Sequence, residues 1–359
     1  MKVGIVGLPN AGKSSLFTAL TGVQAEAANY PFTTIEPNLA IVPVADRRLD
    51  AVADTLGASK VVPDTIAFHD IAGLVAGAHR GEGLGNQFLA HIRETDAIVH
   101  VVRVHRDAGV VHPEGRVDPL ADIETIETEL IYADLEQAER RRERVERAAK
   151  SGERRAVAEL RWLDELIAAL SAGRPARAVP PPSEALDAIT LLGPLTAKPV
   201  LFVANVEEGS DEVPPAIVEH AEAQGARVVA VPARLEAELA ELPEPEAAAL
   251  RAELGVGESG LEAVVRGAFG LLELVAFFTA AQDKPAQSWH LRRGLSVWHA
   301  AGLIHSDIQR GFVRAEVIPW DQLVAAGGYG AARERGVLRL EGRGYPVADG
   351  DVVTVRFTP

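Results

Sequence analysis

The sequence predicts an α/β protein whose mostly parallel sheet is interrupted by a helical hairpin and followed by a small α+β domain. Three observations predict this fold. Short apolar runs, typical of buried parallel strands, alternate with helix-like segments along the first part of the chain. A highly charged stretch with helical periodicity then replaces that alternation. Strand-like patterns return in the last part of the chain.

The strands of the first region are predicted from apolar runs bounded by turn residues. The predicted strands cover residues 2–6, 38–44, 65–70, 97–104, 199–205 and 227–231. The runs at 97–104 and 199–205 are almost entirely apolar, as expected for central strands covered on both faces. Because helix-like segments separate the strands, the region is predicted to be doubly wound.

The charged stretch predicts an antiparallel helical hairpin. Ile123 and Ile126 begin an apolar stripe at helical spacing, and Ser151-Gly152 breaks the pattern before a second helix. Residues 137–177 contain 11 Lys or Arg and 7 Asp or Glu, a net charge of +4 in a chain of net charge −15. Both a solvated helix face and a docking arm for an anionic partner are consistent with this charge.

The changes in pattern give the predicted domain boundaries. The α/β domain is assigned to residues 1–121 and 193–276, with the helical insertion at 122–192. The last domain is assigned to 277–359, where strand-like segments surround a short predicted helix.

Composition limits the function classes. The chain has 359 residues, 47% apolar and 24% charged, as in ordinary globular proteins. The net charge of −15 argues against general coating of nucleic acid or anionic membrane, and no DNA partner is expected. The absence of cysteine excludes disulfides and thiol catalysis. With no long apolar stretch and no long heptad run, a cytoplasmic monomer without a membrane span is predicted.

Residues 7–14 are the most informative feature. They read Gly-Leu-Pro-Asn-Ala-Gly-Lys-Ser and match G-x-x-x-x-G-K-[ST], the loop that binds the phosphates of nucleoside triphosphates. The octet lies between the predicted strand 2–6 and a predicted helix, which makes a chance match a poor explanation. The residues predicted to bind the nucleotide are Asn10, Ala11, Gly12, Lys13, Ser14 and Ser15. Lys13 is predicted to reach the β- and γ-phosphates, and Ser14 to ligate Mg²⁺.

Two further segments have the character of γ-phosphate sensors. The segment 30–34, Tyr-Pro-Phe-Thr-Thr, follows the octet, and Thr34 or Thr33 there is predicted to complete the Mg²⁺ shell; a simple capped turn is the alternative. Asp70-Ile-Ala-Gly73 resembles the D-x-x-G element of GTPases, in which the Asp holds a Mg²⁺-bound water and the Gly N–H contacts the γ-phosphate. Asp70 is therefore a predicted metal residue and Gly73 a predicted catalytic one.

Leu74 follows Gly73, where Ras-like proteins have a Gln that orients the attacking water. A leucine side chain has no group to orient water, so hydrolysis is predicted to be slow or to use another residue. His112 is the candidate for general base or water-positioning residue. A surface-loop histidine without function is the alternative.

Residues 205–208, Asn-Val-Glu-Glu, follow a predicted strand at the place where GTPases carry N-K-x-D. Asn205 is expected to hold the base edge. Glu208, one methylene longer than Asp, weakens the reading of guanine, and Val206 is expected to leave an apolar surface for a base. Ala233, after the next strand, is also predicted to lie near the base. The site should therefore accept ATP at least as well as GTP.

The motifs at 7–15, 70–87 and 205–208, together with 301–307 and 311–318, resemble the YchF-type Obg-like ATPases, a branch of the translation-factor class of P-loop GTPases. The resemblance covers essentially the whole chain. It implies a P-loop NTPase G domain, a helical coiled-coil insertion and a C-terminal TGS domain of ubiquitin-like β-grasp form. It also implies ATP preference through N-x-x-E and a hydrophobic residue in place of the catalytic Gln.

The leading hypothesis is a slow Mg²⁺-dependent ATPase that acts as a translation-associated switch, with the ribosome or ribosomal RNA as partner. One alternative is a GTPase of the same fold, in which Glu208 reads guanine as Asp does. Another is a non-hydrolysing module in which the nucleotide only stabilises a shape that docks on RNA or a ribosomal particle. A P-loop kinase is less consistent with the D-x-x-G and N-x-x-E elements.

Overall fold

A computed structural model describes residues 1–26, 38–71, 84–105, 115, 118–254 and 260–358. Its contacts divide the chain into two compact units. The first unit consists of Met1–Val42 and Ala67–Leu271, and the second of Pro43–Ile66 and Leu272–Pro359. No helix in the described residues is both long enough and apolar enough to cross a bilayer.

The strands, numbered in chain order, are β1 (Lys2–Val6), β2 (Leu39–Pro43), β3 (Lys60–Val62), β4 (Thr65–Asp70), β5 (Ala97–Arg103), β6 (Val200–Asn205), β7 (Arg227–Val231), β8 (Leu274–Thr279), β9 (Pro285–Arg292), β10 (Phe312–Pro319), β11 (Arg339–Glu341) and β12 (Asp351–Phe357). The helices are α1 (Lys13–Glu26), α2 (Arg47–Leu56), α3 (Leu84–Arg93), α4 (Pro119–Lys150), α5 (Arg154–Ser171), α6 (Ala188–Leu192), α7 (Pro215–Ala223), α8 (Ala233–Leu239), α9 (Glu244–Glu253), α10 (Gly260–Leu271), α11 (Val297–Ile304), α12 (Ser306–Arg310), α13 (Trp320–Ala326) and α14 (Tyr329–Glu334).

The first unit is built on a six-stranded sheet of order β2-β4-β1-β5-β6-β7. Strands β4, β1, β5, β6 and β7 run parallel to one another. Every residue of β5 and β6 is buried, as their continuous apolar runs predict. Because these strands are parallel, their carboxyl ends meet at one edge of the sheet. The predicted α/β fold is confirmed.

Helices cover both faces of this sheet. Side chains from α3, α4 and α7 form one apolar core with Val102 and Phe202. On the opposite face α10 packs closely on β6, where a Cβ placed on Gly267 would lie 2.9 Å from Cδ2 of Leu201. Two-sided coverage is the arrangement that a parallel sheet requires.

The predicted helical hairpin consists of α4 and α5. Asp118 caps α4 by accepting a hydrogen bond from the backbone N–H of Ala121, and Pro119 occupies the first helical position. The 32 residues of α4 correspond to a length of about 48 Å. Arg142 of α4 pairs with Asp164 of α5, and Trp162 is buried in the core between the helices.

The second unit contains a mixed sheet of order β11-β10-β12-β8-β9-β3. Helix α11 packs on one face, and α2 and α13 pack on the other. Residues 43–66, placed with the α/β domain by the sequence boundaries, belong by contacts to this unit. The reason is that β3 pairs in parallel with β9, and α2 buries Leu49 and Val52 in the core that contains Phe278.

Candidate nucleotide-binding site

The loop after β1 has a backbone that only glycine allows at two positions. Gly7 has φ 156° and Gly12 has φ 104°. A Cβ on Gly12 would lie 2.2 Å from Nδ2 of Asn205, and one on Gly7 would lie 2.4 Å from the carbonyl oxygen of Val101. The two glycines of the octet are thus explained by conformation and by close approach of the backbone to β5 and β6.

Helix α1 begins at Lys13, directly after this loop. Its first turn contains no acidic side chain, so its free backbone N–H groups and positive end favour an anion. Ser14 is exposed on this turn and Ser15 is half-buried. Asn10, in the loop, adopts the left-handed conformation with φ 62°. The arrangement has the geometry of a phosphate cradle.

Lys13 lies across the loop rather than in solvent. Its side chain is buried, the residue being 8% exposed, and Nζ donates a hydrogen bond of 2.9 Å to the carbonyl oxygen of Leu8. Burial lowers the pKa of Lys13 below its ordinary value, and the negative charge of Asp70 acts in the opposite direction. The ammonium group is therefore poorly solvated, and a bound phosphate would stabilise its positive charge.

Asp70 ends β4, beside Ile5 of β1 in the sheet. Burial raises the pKa of Asp70, and Lys13 opposes the shift. Oδ1 of Asp70 is buried and accepts no hydrogen bond from the described residues. A buried carboxylate oxygen without a donor, at the end of the strand beside β1, and the exposed hydroxyl of Ser14 at the start of α1 are oxygen groups of the kind that Mg²⁺ with its waters prefers. The residues present therefore fit a Mg²⁺ ion.

Asn205 connects two loops of the site. Its Nδ2 donates to the carbonyl oxygen of Ala11 at 3.0 Å, and its Oδ1 accepts from the backbone N–H of Ala233 at 3.1 Å. The residue is 5% exposed. The amide of Asn205 thus holds the phosphate loop to the start of α8, and its role at the base edge stays a prediction.

The other predicted base contacts differ in exposure. Val206 is 4% exposed, so little of the predicted apolar surface is open, and its backbone N–H donates to the carbonyl oxygen of Val231. Ala233 is fully buried at the first turn of α8. Glu208, in contrast, is exposed. Of this group, Glu208 has the side chain most free to meet a base.

Several predicted residues lie outside the described residues. They are Thr33, Thr34, Gly73, Leu74 and His112. Their assignments as Mg²⁺, switch and catalytic residues stay predictions.

Two residues near the site were not predicted from sequence. Arg103, at the end of β5, is 2% exposed, is paired in register with Asn205, and its Nε donates to the carbonyl oxygen of His105. His105 Nε2 lies 3.4 Å from Nδ2 of Asn205. A charged residue at the end of an otherwise apolar central strand was the available signal for Arg103.

These elements define a class of protein. A parallel sheet, a glycine-dependent loop leading into a helix, and an acidic residue ending the neighbouring strand are the features of a P-loop nucleoside triphosphatase domain. Residues 2–140 match the family model described as "50S ribosome-binding GTPase". Residues 274–358 match a C-terminal YchF model described as "Protein of unknown function (DUF933)".

Full-length relatives agree with these models. The chain is 46% identical over 364 residues to the "Ribosome-binding ATPase YchF" of Bacillus subtilis and 47% identical over 359 residues to that of Haemophilus influenzae, with 99% of both chains covered in each case. The chain belongs to the YchF family, which confirms the resemblance seen in the sequence.

Solved structures support the same assignment. The "Schizosaccharomyces pombe YchF GTPase" matches with a TM-score of 0.87 at 32% identity, covering 99% of this chain and 97% of that one. A "GTP binding protein from Pyrococcus horikoshii OT3" matches with a TM-score of 0.63 at 20% identity and full coverage of both chains, which supports the fold alone.

Proposed function

We propose that the chain binds ATP with Mg²⁺, hydrolyses it slowly, and uses the two nucleotide states as a switch on the ribosome. The observation that carries the proposal is the phosphate loop itself. Lys13 is buried against the carbonyl oxygen of Leu8, and the buried Oδ1 of Asp70 accepts no hydrogen bond within the described part of the chain. Both groups gain partners when a Mg²⁺-bound triphosphate binds.

Each residue of the loop has a proposed role in binding. The backbone N–H groups of residues 10–15 hold the phosphates, and Lys13 neutralises charge on the β- and γ-phosphates. Ser14, Asp70 and Thr34 form the proposed Mg²⁺ site, with Asp70 acting through a water. When bound, Mg²⁺ supplies charge neutralisation on the phosphate oxygens.

ATP preference is proposed from residues 205–208. A guanine reader needs a carboxylate placed to accept from two ring N–H groups, and the longer, exposed Glu208 is less well placed for this than Asp. The amide of Asn205 bonds two backbone groups and so supports the loops around the base. A GTPase in which Glu208 reads guanine is the main alternative.

Slow hydrolysis is proposed because Leu74 replaces a water-orienting Gln. Gly73 is assigned to the γ-phosphate through its N–H, and His112 to the attacking water. We expect His112→Ala to slow turnover about tenfold or more, as loss of a water-positioning group does, without changing ATP affinity. Single-turnover assays and calorimetry on one preparation check both values. An unchanged turnover rate would remove His112 from the mechanism.

Ribosome association is proposed from the names of the relatives, which are called ribosome-binding ATPases. The proposed working parts are the G domain at 1–42, 67–121 and 193–271, the helical arm at 122–192, and the TGS domain at 272–359 together with residues 43–66. The chain is proposed to act as a monomer. If turnover is undetectable even with ribosomes, the non-hydrolysing module becomes the better description.

Calorimetric titration with ATP and with GTP, each with Mg²⁺, tests the nucleotide assignment. Wild type is compared with the double variant Val206→Lys/Glu208→Asp, which restores the N-K-x-D pattern, and with Glu207→Asp, which alters the adjacent exposed carboxylate as a control. We expect wild type and the control to bind ATP at least as tightly as GTP. The double variant should move the preference toward GTP by about tenfold, or about 1.4 kcal/mol. A clear GTP preference of wild type contradicts the proposal.

A further inference from the structure

A cavity inside the first unit is lined by polar groups that the nucleotide site does not use. The cavity has a volume of about 190 Å³ and lies between the sheet, α4 and α7. Ile98, His100 and Val200 line it from β5 and β6, and Leu130 and Ile131 line it from α4. Drug-sized pockets have volumes of about 300 Å³ or more. This cavity therefore suits a molecule of only a few heavy atoms.

His100 lines this cavity without a hydrogen-bond partner. The residue is 3% exposed, and its ring nitrogens form no hydrogen bond with any described residue. Its ring centroid lies 5.4 Å from that of Phe202, which offers no acceptor. A neutral imidazole has one N–H donor and one acceptor nitrogen. Because buried polar groups normally have partners, these nitrogens indicate that the cavity holds a polar molecule.

Arg177, in the segment after α5, brings a positive charge to the same cavity. Its Nε donates to the carbonyl oxygen of Thr196 at 2.9 Å, and its Nη1 donates to Oε1 of Gln224 at 2.5 Å. Both acceptors are uncharged, and Arg177 forms no ion pair with a described residue. Burial lowers the pKa of Arg177, and the charges of Glu127 and Asp134 oppose the shift. The guanidinium stays charged at neutral pH, and its remaining N–H groups favour an anion.

The carboxylate of the cavity is already engaged by α7. Among the described lining residues, only Glu127 has a carboxylate. Its Oε1 accepts from Nε2 of Gln224 at 2.7 Å and lies 3.1 Å from Nε2 of His220. The groups left to bind a ligand are therefore mainly donors, from Arg177 and His100, and much of the wall is aliphatic. An anionic head with a short apolar chain matches both properties.

We propose that this cavity binds a small aliphatic monocarboxylate. The carboxylate accepts hydrogen bonds from Arg177 and from the N–H of His100, and the chain packs on Ile98, Leu130 and Val200. A carboxylate fits better than a phosphate ion, because aliphatic walls offer no partner to the further oxygens of a phosphate. The proposal does not depend on the proposed function, since no residue of the phosphate loop lines the cavity.

Fluorine NMR of trifluorobutyrate titrated with the full chain tests this proposal. We expect saturable binding with a Kd on the order of 1 mM, as a ligand of this size allows. Trifluorobutyramide, which has the same shape without the charge, should bind about tenfold more weakly or worse. Trifluoroacetate, which lacks two CH₂ groups, should also bind about tenfold more weakly, because it buries less apolar surface.

Two variants should weaken binding by different means. His100→Phe replaces the imidazole with a ring of similar shape that has no N–H, and Ile131→Trp fills the cavity from α4 while its polar groups stay. We expect each variant to weaken trifluorobutyrate binding about tenfold or more. The control is Tyr132→Trp, which enlarges an exposed side chain of the same helix outside the cavity. It should stay within about twofold of wild type.

The absence of saturable binding to wild type overturns the proposal and leaves a cavity that holds only water. Equal binding of the amide, or stronger displacement of trifluorobutyrate by inorganic phosphate than by butyrate, overturns the choice of a monocarboxylate. Unchanged binding by Ile131→Trp places the carboxylate elsewhere, such as at the phosphate loop, and also overturns the proposal. Circular dichroism checks the fold of each variant, and Ile131→Trp decides the question if His100→Phe does not fold.

Discussion

The two units hold positive charge in opposite ways. Lys13 of the first unit is buried, with a pKa lowered by loss of solvent. Arg314 and Arg356 of the second unit are exposed and opposite one another on a sheet. Buried charge interacts strongly and is little screened by salt, whereas exposed charge interacts weakly and is screened within about 10 Å at 0.1 M salt. Removal of one buried charge should therefore have a large effect that salt changes little, and removal of one exposed charge a small effect that salt screens.

Removal of the buried cation should have the largest effect. We expect Lys13→Ala to reduce ATP affinity by about a hundredfold or more, because the γ- and β-phosphates lose a desolvated positive charge. Calorimetry with Mg²⁺ measures the change, and Lys2→Ala at the other end of β1 is the control. Tight ATP binding by Lys13→Ala would place the triphosphate elsewhere.

Protonation of a buried histidine in the first unit should lower the stability of the protein at acid pH. His100 of β5 is fully enclosed, and burial, with smaller contributions from His220 and Lys13, lowers its pKa from 6.5 to about 3. Since the unfolded chain binds this proton at higher pH than the folded chain, the free energy of unfolding should fall as the pH decreases from about 6.5 toward 3. The slope for this residue is about 1.4 kcal/mol per pH unit.

His100→Phe should flatten this acid dependence, since phenylalanine has no proton to bind and can pack beside Phe202, whose ring centroid lies 5.4 Å from that of His100. Thermal unfolding measured at several pH values compares the variant with wild type. An acid dependence equal to that of wild type would show that His100 is not the group responsible.

Loss of the two hydrogen bonds that Asn205 makes to the phosphate loop and to α8 should have the next largest effect on stability and ATP binding. Asn205→Ala leaves the carbonyl oxygen of Ala11 and the backbone N–H of Ala233 without their side-chain partner in a buried position. We expect a loss of about 1–3 kcal/mol in stability and weaker binding of ATP. The midpoint of thermal unfolding with and without ATP reports both. An unchanged midpoint would mean that water or a neighbouring group replaces the amide.

The smallest expected effect concerns the exposed face. Glu316→Gln removes the carboxylate shared by Arg333 and Arg356 and adds to the positive excess. We expect the free energy of unfolding to fall by about 1 kcal/mol at low salt and by less at high salt, because the two arginines lose their shared carboxylate. Urea unfolding at two salt concentrations measures this, and an unchanged free energy of unfolding would show that the shared carboxylate does not stabilise this face.

Local patterns predicted the loop conformation and the strand end that position the candidate nucleotide site. The spacing of Gly7, Gly12 and Lys13 implies the loop because glycine and lysine are needed there for conformational and chemical reasons that a short segment reveals. The place of Asp70 at a strand end was visible in the same way. The apolar runs of β5 and β6 also predicted the central strands.

Features that depend on pairing between distant segments were not predictable. Residues 43–66 join the second unit through β3 and β9, which lie more than two hundred residues apart in sequence. The burial of Val206 and the double hydrogen bonding of Asn205 depend on how β6 meets α8 and the phosphate loop. The placement of Arg314 opposite Arg356 appears only when the β10–β12 register is known.

A crystal structure of the chain with Mg²⁺ and a non-hydrolysable ATP analogue would show whether Lys13 and Asp70 bind the triphosphate and its metal. Binding at the phosphate loop predicts that the phosphates lie against residues 10–15. Nζ of Lys13 should then donate a hydrogen bond to a phosphate oxygen, in addition to or in place of its bond to the carbonyl oxygen of Leu8. This site assignment is what the structure would test. It also predicts Mg²⁺ beside Ser14, with Asp70 reaching it through water, and the base beside Glu208. An analogue bound elsewhere, or phosphates that leave Lys13 and Asp70 untouched, would contradict it.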